Sequence, residues 1–201
     1  MKTFFDPASI AVIGATPREN SLGNQLLVNL AMGFTGSVYP VNPNYTEIRS
    51  LPCFPTAENI PGPVDLALVI VPAPSVPEAL AACGRKGIRR VIIESAGFAE
   101  TGPAGRALQE RCLAVARKAG IRLWGPNCMG LVDIPRKFFF TFMHPNIHSD
   151  GLIAGRISMV VQSGMLSAGF LADLMSERAV GIAKACSIGN KMDIDECDVL
   201  E

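Results

Sequence analysis

The chain has 201 residues, 49% hydrophobic and 18% charged, with 18 basic against 18 acidic side chains. This composition describes a globular protein and excludes disordered and fibrous classes. Zero net charge gives no support to a nucleic-acid or anionic-membrane partner, so an anionic ligand has to be held locally.

Short β-rich runs alternate with segments of helical period, the pattern of a doubly wound α/β unit with a parallel sheet covered on both faces. The expected strands are Ile10 to Gly14, Ser37 to Val41, Leu66 to Val71, Arg90 to Glu94 and Arg122 to Trp124. Their continuous Val/Ile/Leu character suits sheet centres buried on both sides. Helices are expected over Leu22 to Met32, Ser75 to Lys86 and Pro103 to Ala119. In the last, Leu108, Cys112, Val115 and Ala119 recur at steps of three or four, with Gly102-Pro103 at the start and Gly120 at the end.

From Pro135 to Gly155 the pattern breaks around Phe138-Phe139-Phe140, and an interdomain crossover is expected. A second β-α-β series follows, with strand Ile157 to Gln162, helix Met165 to Arg178, strand Ile182 to Ser187 and a segment from Asp193. Two strands make a poor sheet. The second unit is therefore expected to be incomplete, completed by a further segment or another chain, with an exposed sheet edge that predicts either a partner or poor solubility.

The longest apolar runs, such as Leu66 to Val71, are far short of the roughly 18 residues that span a bilayer. Asp6-Pro7 interrupts the N-terminal Phe4-Phe5 before a secretory apolar region forms. A cytoplasmic location with no membrane contact is expected. The six cysteines, Cys53, Cys83, Cys112, Cys128, Cys186 and Cys197, are dispersed without a C-x-x-C pair, and reduced thiols are expected.

After the first strand comes GATPRENSLG, residues 14 to 23, opening onto a helix. Free amides at a helix start favour a phosphate, and the carboxyl ends of parallel strands are where such sheets bind ligands. The dinucleotide fingerprint G-x-G-x-x-G is not met: Thr16 replaces the second glycine, Gly23 arrives late, and no acid follows at the ribose position. Thr16, Arg18, Asn42 and Asn44 instead suggest a ligand with several phosphate groups; a simple strand-to-helix connection is the bland alternative.

Seven collinear segments together resemble one family: SIAVIGATPRENSLG (9 to 23), GSVYPVNPNY (36 to 45), PVDLALVIVPAPSVPEAL (63 to 80), ESAGFAETGPAGRALQ (94 to 109), IRLWGPNCMGLVD (121 to 133), VVQSGML (160 to 166) and SIGNKMDIDECDVLE (187 to 201). The chain resembles the nucleoside-diphosphate-forming acyl-CoA synthetases, relatives of the succinyl-CoA synthetase α subunit. The resemblance implies a Rossmann-like CoA-binding domain over residues 1–134, a linker over 135–155 and the start of a flavodoxin-like ligase domain over 156–201.

It further implies an acid–CoA ligase in which acyl-CoA and phosphate give an acyl phosphate, a histidine takes the phosphoryl group and ADP accepts it. CoA is then a substrate. The phosphohistidine, ATP or ADP and Mg belong to the remaining ligase and ATP-grasp domains, in cis or as another subunit, and a homo-oligomer is possible; this chain alone is expected to be inactive. Carried over by position, Gly14, Thr16, Arg18 and Leu22 would border the CoA phosphates, Asn42 and Pro43 the adenosine, and Val71, Pro72 and Ala73 the adenine. Ser95, Ala96, Gly97 and Phe98 would line the pantetheine path, with Asn127 and Cys128 near the thiol. Asn44 stands where some relatives carry a phosphate-binding lysine.

In VVQSGML, Ser163, Gly164 and Met165 sit at a helix N-terminus and would cradle phosphate or acyl phosphate. A hydrolase elbow is disfavoured because Val161 and Met165 stand where its glycines should be; an ordinary N-cap is the bland reading. His144 and His148 are spaced i to i+4, but Pro145 lies between them and no metal site is expected. Cys128 has no cation beside it in sequence to activate its thiol. Asp193, Asp195, Glu196 and Asp198 imitate a calcium loop without its central glycine and read better as a helix start. Two other readings stay open: a non-catalytic CoA or acyl-CoA sensor or acyltransferase-associated regulatory domain, and an NAD(P)-dependent oxidoreductase.

Overall fold

The computed structural model describes residues 1–144, 146, 152–177 and 180–200. A short helix α1 (Lys2–Phe5) precedes β1 (Ser9–Ile13), α2 (Leu22–Ala31), β2 (Ser37–Val41) and a small hairpin of β3 (Glu47–Ile48) and β4 (Leu51–Pro52). Then come β5 (Leu66–Val69), α3 (Val76–Lys86), β6 (Arg90–Ile93), α4 (Pro103–Ala119) and β7 (Arg122–Trp124). The second part contains β8 (Leu131–Asp133), β9 (Phe138–Phe140), β10 (Ala154–Val161), α5 (Gly164–Glu177), β11 (Ile182–Ser187) and α6 (Glu196–Leu200).

The first sheet has the order β2-β1-β5-β6-β7 with every pairing parallel. Alternation along each strand splits its apolar side chains between two cores. Ala11, Ile13, Ala67, Val69, Val91 and Ile93 pack with Leu80 and Cys83 of α3 and Cys112 and Ala116 of α4. Ile10, Val12, Leu66, Leu68 and Ile92 pack on the opposite face with Leu26, Leu27 and Leu30 of α2. Both faces are apolar, which explains why the strand sequences read as unbroken hydrophobic runs. Gly87 and Gly120 end α3 and α4 in the left-handed conformation.

The second sheet differs from expectation. It has four strands in the order β10-β11-β8-β9, not two. Leu131–Asp133, expected within the first unit, instead pairs antiparallel with β11, and Phe138–Phe140, expected to be aperiodic crossover, pairs antiparallel with β8. The cause of the misreading is that both faces of β9 are buried: Phe138 and Phe140 enter the core against α2, while Phe139 packs with Leu171 and Ile182. A strand covered on both sides shows no alternation. Among the described residues β10, at the sheet edge, pairs only with β11 and keeps Ile157 exposed.

The two sheets share a core. Cys186, Ile188 and Ile194 belong to the same apolar cluster as Trp124 and Phe4. The segment after β11 runs along β7, with the amides of Asn190, Met192 and Ile194 donating to the carbonyls of Pro126, Gly125 and Leu123. That pairing covers what would otherwise be an open sheet edge.

Candidate functional site

In the first sheet the strand order reverses between β1 and β5, because β1 connects outward to β2 while β5, β6 and β7 follow on the other side. Such a switch point leaves a crevice at the carboxyl ends of the strands. Two clefts open there, one of about 790 Å³ and one of about 500 Å³, and both are lined by Gly14, Val71 and Pro72.

The loop after β1 is shaped by close backbone approach. A methyl group on Gly23 would lie 2.2 Å from the Gly14 carbonyl oxygen, and one on Gly14 would lie 2.4 Å from the Ile70 carbonyl oxygen. Gly23 therefore lets the first turn of α2 settle directly on the strand end, a job the dinucleotide fingerprint assigns to glycines at other spacings. Ser21 caps α2 by accepting the Asn24 amide, and its hydroxyl donates to the Arg18 carbonyl at 2.6 Å. Thr16, Ser21, Leu22 and Gly23 all line the larger cleft.

The smaller cleft is an apolar slot walled by Ile13, Val41, Ala57, Ala79 and Ala82, with Asn42, Pro43 and Asn44 at its mouth. Asn42 is a brace as well as a wall: its amide donates to the Ala15 carbonyl at 2.7 Å and its oxygen accepts the Asn44 amide at 2.9 Å. Arg85 reaches the same cleft and pairs with Glu58 at 2.8 Å and Glu78 at 3.2 Å, so its charge is already partnered.

The larger cleft runs from the α2 start to the second unit. Ser95, Ala96, Asn127, Cys128, Ser163, Gly164 and Met165 line it together with Phe142 and Gln162. Ser95 donates to the Val71 carbonyl at 2.6 Å and accepts the Asn127 amide through its own carbonyl at 2.9 Å, which ties the three strand ends together. Ser163 is the cap of α5, its hydroxyl accepting the Leu166 amide at 3.4 Å. A methyl group on Gly164 would meet Met129 at 2.4 Å, so α5 begins in contact with the segment that follows Cys128. Burial pushes the Cys128 thiol up, away from nucleophilic work.

Of the residues assigned to CoA or phosphate from sequence, most line one or both clefts, while Arg18, Ala73, Gly97 and Phe98 do not. Arg18 is exposed on the loop outside both linings, with its amide on the Thr16 hydroxyl. Ala73 is buried and Phe98 is fully buried in the core beneath α3 and α4. Gly97 and Phe98 give their amides to the Glu100 carboxylate at 2.6 and 3.1 Å. His144 is exposed, and His148 lies outside the described residues. Of the four acids near the C-terminal segment, Asp193 and Asp198 each meet Arg122 at 2.9 Å, Glu196 meets Lys191 at 2.8 Å, and Asp195 caps α6 through the Cys197 amide. These are the partners of a helix start.

Glu94 was missed in sequence. Glu94 is among the residues lining the larger cleft, yet it is 3% exposed, and burial raises its pKa well above the carboxylate range. Its position at the last residue of the expected fourth strand was the available signal, since an acid there has to be either at the surface or in a site.

Residues 8–133 match the CoA binding domain family, and residues 154–201 match the succinyl-CoA ligase like flavodoxin domain. The chain is 40% identical to an ADP-forming acetate–CoA ligase I of Archaeoglobus fulgidus, covering 100% of the chain and 28% of that protein. It is 36% identical to the α subunit of an ADP-forming acetate–CoA ligase II of Pyrococcus furiosus, covering 98% of the chain and 42% of the subunit. A solved structure of the dinucleotide forming acetyl-coenzyme A synthetase 1 of Candidatus Korarchaeum cryptofilum, in complex with phosphate and ADP, superposes with a TM-score of 0.91 at 33% identity, over 99% of this chain and 41% of that one. The chain therefore spans less than half the length of each of these relatives.

Proposed function

The chain belongs to the CoA binding domain family, and from that premise we propose that it is the CoA-binding portion of a nucleoside-diphosphate-forming acid–CoA ligase. The observation that carries this reading is the pair of clefts that meet at Gly14, Val71 and Pro72. An extended ligand with a flat apolar base at one end, phosphates in the middle and a thiol at the other fits such a path. The base would enter the slot of Val41, Pro43 and Ala79, the phosphates would meet the first turn of α2, and the pantetheine would pass Ser95 toward Cys128.

In this reading the N-terminus of α5 supplies the second half of the chemistry. Ser163, Gly164 and Met165 share the cleft with the thiol end, and a helix start stabilises the negative charge that develops as phosphate attacks a thioester. Acyl-CoA and phosphate would give acyl phosphate and free CoA there. A histidine, ADP and Mg from other domains or another subunit would complete the transfer, with the acid, CoA and ATP as substrates of the reverse direction. No described helix is long and apolar enough to cross a membrane.

The test is calorimetric titration of the purified, folded chain with CoA, dephospho-CoA and NADH. Micromolar binding of CoA that weakens without the 3′-phosphate is the expected result. Failure to bind CoA, or tighter binding of NADH, overturns the reading.

A further inference from the structure

Glu94 follows β6 directly, and neither of its oxygens makes a well-aligned hydrogen bond; the Phe142 backbone amide draws its pKa down, but by less than burial raises it. Buried polar groups in native proteins are nearly always paired, and leaving one unpaired costs of order 1–3 kcal/mol. Among the described residues lining the larger cleft there is no lysine, arginine or histidine, so an ion pair does not account for it either.

Its surroundings place it at the seam between the two sheets. A methyl group on Gly130, which leads into β8, would sit 2.7 Å from Glu94 Oε1. Ser95, Cys128, Phe142 and Ser163 line the same cleft. Glu94 does not line the smaller apolar slot, so a ligand anchored there would reach this carboxyl only with its far end.

Resting on the CoA-binding reading above, we propose that the Glu94 carboxyl is the hydrogen-bond partner of the thioester carbonyl oxygen when an acyl-CoA occupies the larger cleft, and so distinguishes acyl-CoA from CoA. A carbonyl oxygen only accepts, and burial keeps this carboxyl in the protonated form that donates. Both oxygens lie behind the cleft surface, so the proposal includes a rotation of the Glu94 side chain toward the ligand. Free CoA ends in a thiol and offers no oxygen at that point.

The experiment titrates the full chain with acetyl-CoA and with CoA, for the wild type, Glu94→Gln and Glu94→Leu. The wild type is expected to hold acetyl-CoA about five- to tenfold more tightly than CoA, the worth of one buried hydrogen bond. Glu94→Gln retains a donor and keeps most of that ratio, whereas Glu94→Leu brings it to one while leaving CoA binding within about twofold. The infrared carbonyl band of bound acetyl-CoA, shifted to lower frequency on the wild type, reads the same contact if the leucine variant does not fold. Equal affinity of the wild type for both ligands, an unshifted band, or equal weakening of both ligands in Glu94→Leu overturns the proposal. CoA binding without acyl preference leaves the functional reading standing, while a folded wild type that binds neither ligand removes both.

Discussion

The indole N–H of Trp124, the last residue of β7, donates to the carbonyl oxygen of Ser187, the last residue of β11, at 2.7 Å. One side chain thereby joins the ends of strands from two different sheets. Phe4 and Phe5 pack against the same ring at centroid distances of 5.6 and 6.0 Å. Trp124→Phe should remove the bond and leave the Ser187 carbonyl without that donor, a loss of about 1–3 kcal/mol. Urea unfolding followed by circular dichroism is the measurement. An unchanged midpoint would mean that the sheets are held together by apolar packing alone.

Gly23→Ala should raise intrinsic helix propensity and still damage the site. The new methyl would fall 2.2 Å from the Gly14 oxygen, and that contact is with backbone, which cannot swing aside. The start of α2 has to back away from the strand end. A loss of CoA affinity of more than tenfold, with a melting temperature lowered by only a few degrees, is the expected pairing. Retained affinity would show that phosphate is held elsewhere in the cleft.

Stability should fall as pH rises above the ordinary carboxylate range because of Glu94. Its folded-state pKa is raised, chiefly by burial, so between the unfolded and folded values the native state holds a proton that the unfolded chain has released. The stabilisation is complete below the unfolded pKa and is lost as pH climbs through the folded one. Within that window the slope is at most about 1.4 kcal/mol per pH unit. Glu94→Gln should flatten it, and chemical denaturation at pH 5, 7 and 9 checks this directly. Parallel curves for the two proteins would mean that Glu94 ionises freely in the fold.

Arg122→Met should loosen the C-terminal segment. The guanidinium reaches both Asp193 and Asp198 at 2.9 Å, and the hydrogen bond from Arg122 holds the Asp198 carboxyl below its usual range. With the arginine side chain 42% exposed, solvent screens both pairs, and about 0.5–1 kcal/mol is the expected cost. For Asp198 the sign is opposite to that of Glu94: its contribution is present above the unfolded pKa and lost as pH falls through the folded one. Protection of the Val199 amide from hydrogen exchange should fall in the variant, and in the wild type it should fall at low pH, where Asp198 is protonated.

The first sheet was legible because its strands carry uninterrupted Val/Ile/Leu runs and its helices carry stop signals, Gly87 and Gly120, at the right places. Leu131–Asp133 was not legible, because its partner β11 lies some fifty residues away and local periodicity carries no information about it; Phe138–Phe140 was not, because burial on both faces leaves it no alternation. Loop 14–23 was legible as a cleft wall through its glycine and hydroxyl residues. Glu94 did not, since an acid after a strand has the same appearance whether it faces water or a closed wall. Phe98, placed by position on the ligand path, turned out to be core because the preceding glycine lets the chain turn inward.

The order of the second sheet, β10-β11-β8-β9, also bears on how the chain is built during synthesis. β8 and β9 leave the ribosome together and can form their hairpin at once, but the neighbour that closes the other side of β8 is β11, which emerges about fifty residues later. Until then the edge of β8 stands open beside Trp124, whose indole also lacks its acceptor. At about 5–20 residues per second this interval lasts about 3–10 s, a window in which another nascent chain can pair with the exposed strand. Slow translation between residues 141 and 181 would lengthen that window, and crowding of ribosomes on one message would raise its cost.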